Sequence, residues 1–232
     1  MKLGILNATK PQDEAAFQLW ELANFQAFFD RIPHNCELIE YRVTEGEFPV
    51  STACDAYLIT GSPQGVYDPE PWIAELATCI RGLYVAEKRL VGICFGHQML
   101  AHTLGGHTEK SAKGWGMGLR RFTITAIQPW MDPRLETGQL YFCHQDQVAR
   151  LPENAQRLAG NAFCPNAIFT IGKQVLGIQG HPEFSEEYMR ALITELAPVA
   201  GAEVTLAAAA TLAEGAPDDQ IMARWIINFI KQ

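Results

Sequence analysis

The sequence has few basic residues, and they do not form clusters. Its 232 residues include 18 Lys and Arg against 26 Asp and Glu, which gives a formal net charge of -8. A nucleic-acid-binding surface needs grouped positive charge to neutralise phosphates. The composition therefore excludes nucleic acid as the expected partner and favours a small molecule.

Long apolar runs, paired cysteine spacings and low-complexity segments are also missing. The first strand-like segment, residues 2–7, reaches polar residues too soon for a signal peptide, and no run suits a membrane span. The six cysteines are scattered, as expected in a reducing compartment. We therefore expect a cytoplasmic protein with a single domain over residues 1–232, in which residues 186–232 form a C-terminal helical extension.

Strand-like and helix-like patterns alternate in the first part of the chain. The strand-like segments are residues 2–7, 36–43, 56–60 and 90–93, and the helical segments between them are residues 14–31 and 71–88. In the first helical segment Phe17, Trp20, Ala27 and Phe28 are predicted to share an apolar face. This alternation predicts an α/β fold with a doubly wound, mostly parallel sheet flanked by helices, and ligands at the carboxyl ends of its strands.

The pattern changes after Gly118. Strand-like segments at residues 119–127 and 167–171 follow without long helices between them, which predicts a small antiparallel extension. The remainder is helical, over residues 186–196 and 204–213 and from Asp218 onward.

A cysteine lies where a buried strand breaks into a helix. Leu90, Val91 and Ile93 form the apolar strand, glycines flank Cys94 on both sides, and a helical pattern begins near Gln98. Such a strand–turn–helix elbow exposes a nucleophile at the carboxyl end of a strand. The free N–H groups and positive dipole end of the following helix favour the thiolate.

A histidine that could act as the base for this cysteine lies in the segment Gly180-His181-Pro182-Glu183. It follows the strand-like residues 175–178, so it also lies at a strand end. Glu183 is close enough to accept a hydrogen bond from one imidazole nitrogen while the other nitrogen faces Cys94. Pro182 makes the corner stiff.

These two segments, together with Gly-Ser-Pro at residues 61–63, resemble class I glutamine amidotransferases, whose fold is flavodoxin-like. The resemblance is closest to the glutaminase domain of GMP synthase and its stand-alone relatives, and it extends from the first strand to about Phe184. It implies a catalytic triad of Cys94, His181 and Glu183 that hydrolyses the side-chain amide of glutamine through a thioester and releases ammonia. It implies no cofactor.

The resemblance also assigns an oxyanion hole and a substrate contact. The backbone N–H groups of Gly61 and Phe95 would form the oxyanion hole, and the physical pattern agrees, because Gly61 ends a strand and Phe95 follows the nucleophile. Gln98 lies one helical turn after Cys94 on the same face and would hold the substrate.

A third segment, residues 143–146, is expected to bind the ends of the amino acid. It follows the strand-like residues 140–142 and is similar to the Ser-His-Gly-Asp stretch of GMP synthase glutaminase domains. The implied substrate-binding residues are Cys143, His144, Gln145 and Asp146. Cys143 replaces the usual serine, Gln145 replaces a glycine, and Ser62 replaces a glycine near the oxyanion loop. These departures affect the shape of the pocket and leave the triad intact.

A metal site is the less favoured interpretation of the same region. Cys94, His97 and His102 could be considered as ligands, but the spacing of the two histidines splays them on a helix, and a structural zinc site needs four ligands. We therefore predict no metal.

Three functions remain open at this point. The leading one is a glutaminase that supplies ammonia to a separate synthetase subunit, because the residues after Phe184 are expected to form helices and not a synthetase domain. A variant is a stand-alone γ-glutamyl hydrolase or peptidase that acts on γ-glutamyl amides such as glutathione derivatives. A non-catalytic binding module of the same fold is the third, and the intact triad argues against it. No membrane partner is expected.

Overall fold

The computed structural model of the protein describes residues 1–17 and 21–232, without the side chains of residues 15–17. Its strands are β1 (Lys2–Asn7), β2 (Glu37–Arg42), β3 (Ala56–Ile59), β4 (Arg89–Ile93), β5 (His107–Lys110), β6 (Gly116–Ile124), β7 (Thr137–His144), β8 (Asp146–Arg150), β9 (Ala155–Gly160), β10 (Ile168–Ile171) and β11 (Val175–Ile178). Nine of them form one sheet in the order β2-β1-β3-β4-β11-β10-β9-β6-β7, and β5 pairs with β8 in a second, two-stranded sheet.

The large sheet is parallel at one end and antiparallel at the other. Strands β2, β1, β3, β4 and β11 pair in parallel. Strands β10, β9, β6 and β7 continue the sheet with antiparallel pairs. The predicted fold class is confirmed, with the antiparallel extension joined directly to β11. The two-stranded sheet of β5 and β8 was not predicted.

Helices cover both faces of this sheet. They are α1 (Pro11–Phe17), α2 (Glu21–Phe29), α3 (Pro71–Val85), α4 (Phe95–Thr103), α5 (Glu186–Glu195), α6 (Ala197–Ala200), α7 (Ala202–Thr211) and α8 (Asp219–Ile230). Side chains of α2 and α8 share one apolar core with the strands, and those of α3 and α4 share a second core. Helices α5 and α7 pack against β6 and β7 in a third cluster. Strands β1, β3, β4 and β11 are therefore buried on both faces, which explains their largely apolar sequences. The edge strand β2 is only partly buried and mixes apolar with charged residues.

The predicted helix over residues 14–31 is only partly described. Helix α1 ends at Phe17 and α2 begins at Glu21, so Trp20 and the side chain of Phe17 lie outside the described residues. Phe28 is buried as predicted, but Ala27 is exposed, and the prediction for Ala27 was wrong. The buried stripe of α2 consists of Phe25, Phe28 and Phe29, since the three larger rings bury more apolar area against the sheet.

The prediction that a strand ends just before Cys143 is also wrong. Strand β7 continues to His144, because Cys143 pairs with Met117 and His144 pairs with Gly116 on the neighbouring strand. Cys143 and His144 are therefore the last two residues of the strand, and only Gln145 lies in the turn before β8. The ladder with β6, which is distant in sequence, decides this boundary.

Candidate active site

Cys94 occupies a strained turn between β4 and α4. Its backbone has φ of 49° and ψ of −102°, a conformation that non-glycine residues rarely adopt. The turn is held by the Cys94 N–H, which donates to the carbonyl oxygen of Ile178 at 2.9 Å. A side chain at Gly92 would lie 2.4 Å from the backbone of Gly96, and one at Gly96 would lie 2.3 Å from the carbonyl oxygen of Ile59. The two glycines are therefore required for the close approach of strand and helix.

His181 and Glu183 form a buried ion pair after β11. Nδ1 of His181 lies 2.6 Å from Oε1 of Glu183, and the two residues are 5% and 4% exposed. The His181 N–H donates to the carbonyl oxygen of Tyr141 at 2.7 Å, which attaches this corner to β7. Burial by itself lowers the pKa of His181, but the charges of Glu183 and Cys94 and hydrogen bonds to both outweigh it and raise the pKa to about 10. These interactions therefore favour the protonated imidazole.

Gly61 lies between the Cys94 turn and the His181–Glu183 corner, and its lack of a side chain lets them approach each other. A side chain on Gly61 would lie 3.0 Å from Cε1 of His181 and 3.9 Å from Cβ of Cys94. Strands β3, β4 and β11 are neighbours, so their carboxyl ends place Gly61, Cys94 and His181 at one edge of the sheet. In the part of the chain that the structure describes, no protein acceptor engages the amide N–H of Gly61 or Phe95.

A cavity of about 870 Å³ opens at this edge. The predicted residues in its walls are Gly61, Cys94, Gln98, Cys143, His144, Gln145, Asp146 and His181. Glu183 and Phe95 do not line the cavity, and Glu183 reaches it through His181. A volume of this size suits a ligand considerably larger than one amino acid.

Gln98 is held in the cavity wall by two hydrogen bonds. Its Nε2 donates to the carbonyl oxygen of Asp146 at 2.8 Å and to Oε1 of Gln179 at 3.2 Å. The amide nitrogen is therefore used within the protein. A substrate contact through Gln98 would have to use its Oε1 as an acceptor.

The segment from Cys143 to Asp146 also lines the cavity. The carbonyl oxygen of Cys143 lies 3.9 Å from Sγ of Cys94, and burial raises the pKa of the Cys143 thiol. Nδ1 of His144 lies 2.9 Å from the carbonyl oxygen of Asp146, so the proton of a neutral ring belongs on Nδ1. Burial lowers the pKa of His144 to about 4. The neutral ring is thus favoured, and among the described residues none forms a hydrogen bond with its Nε2.

Several residues in or next to the site were not predicted from the sequence, among them Lys110 and Tyr188 in the cavity wall and the pair Thr9 and Glu21 beside Gly61. The Thr9 hydroxyl donates to Oε1 of Glu21 at 2.9 Å and lies 3.4 Å from the carbonyl oxygen of Gly61. Burial, with the charge of Glu183, raises the pKa of Glu21 well above its ordinary value. The one available signal was the polar stretch after β1, because Thr9 follows the end of a buried strand.

The residues considered as metal ligands are dispersed. His97 is fully buried and packs on the ring of Phe169, with 5.0 Å between ring centroids, whereas His102 faces His107 at 6.2 Å. Across residues 1–17 and 21–232, no three His, Cys, Asp or Glu side chains are grouped so that they could hold a metal ion. Over the same ranges, no helix is long and apolar enough to cross a membrane.

Comparison with known proteins gives one family. The model of the family "Glutamine amidotransferase class-I" matches residues 27–196. The chain is 32% identical over 202 residues to γ-glutamyl peptidase 3 of Arabidopsis thaliana, covering 82% of this chain and 81% of that protein. It is 33% identical over 175 residues to GMP synthase of Porphyromonas gingivalis, covering 65% of this chain and 32% of that protein. The structure of a glutamine amidotransferase from Thermotoga maritima is similar in fold, with a TM-score of 0.72 at 17% identity over 100% of this chain and 99% of that one.

Proposed function

Since the chain belongs to the class I glutamine amidotransferase family, we propose that it hydrolyses γ-glutamyl amides with Cys94 as the nucleophile. The observation that carries the proposal is the meeting of the strained Cys94 elbow with the buried His181–Glu183 pair in one cavity. A protonated imidazole next to a cysteine favours the thiolate, which is the form that attacks carbon.

In the first half of the proposed reaction, Sγ of Cys94 attacks the γ-carbonyl carbon of the substrate. The oxyanion that forms accepts hydrogen bonds from the N–H groups of Gly61 and Phe95. His181 gives its proton to the leaving nitrogen, the C–N bond breaks, and the amine departs from a γ-glutamyl thioester. Glu183 keeps the imidazole oriented throughout.

In the second half, water replaces the amine. Neutral His181 takes a proton from water, whose oxygen attacks the thioester carbon, and the C–S bond breaks. Glutamate leaves, and the Cys94 thiolate and the His181 imidazolium are restored. The net reaction consumes one water and yields glutamate and the amine.

The polar wall of the cavity suits the zwitterionic end of a γ-glutamyl group. Lys110 brings a positive charge and Asp146 a negative one, which complement an α-carboxylate and an α-amino group respectively. Gln98, Cys143, His144 and Gln145 complete this wall as the proposed substrate-binding residues. No step requires a cofactor.

Of the amidase functions, a self-sufficient γ-glutamyl hydrolase is favoured. The cavity exceeds the size of glutamine, and the γ-glutamyl peptidase relative matches over 82% of this chain and most of its own length. A glutaminase that serves a separate synthetase is the second candidate, and the similarity to GMP synthase supports it. We also infer that residues 1–232 act as one domain, because a single apolar core joins side chains from Leu3 in β1 to Ile230 in α8.

The experiment that tests the proposal uses the purified chain alone. Glutamine, glutathione and γ-glutamylglycine are supplied in turn, and glutamate, ammonia and amine are measured separately. We expect turnover of at least one compound without any partner, and no turnover by Cys94→Ala. A folded wild-type protein that is inactive on every compound would contradict the proposal, and activation only by an added synthetase would support the second candidate.

A further inference from the structure

The cavity has two walls of different chemistry. Lys110, Asp68 and Asp146 contribute charge to one wall, close to the segment proposed to hold the glutamyl group. The other wall is apolar and comes from the C-terminal helices. Its residues are Phe184, Tyr188, Leu192, Leu196, Val199 and Val204. A γ-glutamyl group is polar at its free end, so contact with the apolar wall would contribute little to its binding free energy.

The apolar wall begins at His181. The rings of His181 and Phe184 stack at 3.9 Å between centroids with an angle of 10°, and Tyr188 packs edge-on against Phe184 at 4.6 Å. In the proposed reaction His181 delivers a proton to the leaving nitrogen, so the amine half of the substrate must lie next to His181. It is therefore the amine half that meets the apolar wall.

The outer part of this wall exposes apolar surface to water. Val199 of α6 is 69% exposed although it lines the cavity. A ligand with an apolar group would remove this surface from water, which favours binding in proportion to the apolar area buried. Ammonia, the leaving group of glutamine, would bury none of it.

We propose that the apolar wall is the binding site for the leaving amine, and that the preferred substrates are γ-glutamyl amides of amines with an alkyl or aromatic group. The proposal rests on the γ-glutamyl hydrolase function proposed above. It assigns specificity for the amine to α5, α6 and the start of α7, whereas the glutamyl half is recognised by the ends of the strands.

The test compares γ-glutamyl methylamide, ethylamide, propylamide and butylamide. These alkylamines have nearly the same basicity, so differences in kcat/KM report binding of the alkyl chain. Since each buried methylene is worth about 0.8 kcal/mol, we expect kcat/KM to rise about threefold to fourfold per carbon. γ-Glutamylglycine, which is close in size to the propylamide but carries a carboxylate, should be the poorer substrate of the two.

A matched pair of variants locates the effect. Val199→Ser changes the cavity rim, and Leu206→Ser is its control, because Leu206 is 72% exposed on α7 and does not line the cavity. We expect Val199→Ser to lower the ratio of kcat/KM for butylamide to that for methylamide by about threefold or more, and Leu206→Ser to leave it unchanged. Circular dichroism is used to check that both variants fold like the wild-type protein.

The outcomes separate the two proposals. A folded protein that is inactive on every γ-glutamyl compound overturns the proposed hydrolase function. A protein that hydrolyses these compounds with no gain along the alkylamide series, or with γ-glutamylglycine preferred to the propylamide, overturns the assignment of the apolar wall and leaves the hydrolase function standing.

Discussion

His181 and Glu183 are joined by a 2.6 Å contact between Nδ1 and Oε1 that is almost fully shielded from water. Burial opposes the charge on the imidazole, so the pKa of His181 stays high because of the carboxylate and Cys94. The orientation and the charge of His181 thus depend on a residue that does not itself line the cavity.

Glu183→Gln should lower the pKa of His181 and slow turnover. The amide keeps the shape of the carboxylate but removes its charge, so burial pulls the pKa down from about 10. We expect kcat to fall by about 10²-fold to 10⁴-fold, which is less than in Cys94→Ala. The pKa is followed by NMR of the His181 ring and kcat by glutamate release. An unchanged pKa, or a loss as large as that of Cys94→Ala, would contradict the role given to Glu183.

Cys94 should be alkylated before the other cysteines. Cys94 lines the cavity together with its proposed base His181. Burial raises the pKa of Cys79 to about 11, that of Cys164 to about 12, and that of Cys143 as well. A limited dose of a glutamine-like diazo-ketone, followed by peptide mass spectrometry, identifies the labelled residue. Excess glutamate should slow labelling of Cys94. Label found first on any other cysteine would remove Cys94 as the nucleophile.

Gly92→Ala should destabilise the protein strongly. The new methyl group would lie 2.4 Å from the backbone of Gly96, which cannot move without shifting the elbow. We expect the free energy of unfolding to fall by about 3 kcal/mol or more, as measured by urea denaturation. Gly82→Ala is the control, because Gly82 is exposed in α3 with no atom within 4 Å of the added methyl group. In that variant the free energy of unfolding should increase by about 0.5–1 kcal/mol.

The protein should lose stability as the pH falls below about 6.5. Burial lowers the pKa of His97 to about 3 and that of His144 to about 4, so the folded state keeps both rings neutral while the unfolded state takes up protons. Stability therefore decreases between pH 6.5 and about 4. Urea midpoints measured across this range should show the decrease. His97→Phe should reduce its slope, and an unchanged slope would show that His97 does not contribute.

The elbow and the fold class were predictable because their signals are local. The glycines on both sides of Cys94 and the apolar strand before it lie within a few residues of one another, and the tight turn follows from their backbone requirements. The alternation of strands and helices likewise repeats along the chain and predicts a parallel sheet.

Features that depend on distant partners were missed or misplaced. The end of β7 is decided by its pairing with β6. The exposure of Ala27 depends on which side of α2 packs against the sheet. The contact between Thr9 and Glu21 forms only when α2 packs against β1. These contacts join residues from different secondary-structure elements, so the hydrophobic periodicity of a single segment does not predict them.

The sequence by itself determined that Cys94 and His181 would follow the ends of strands, with Glu183 two residues after the histidine, since strand and turn propensities are set by neighbouring residues. Only the tertiary structure decided that β3, β4 and β11 are adjacent and that the C-terminal helices build an apolar wall next to His181. Strand order and helix packing depend on which apolar faces are buried together, and that choice is made by the whole chain when it excludes water.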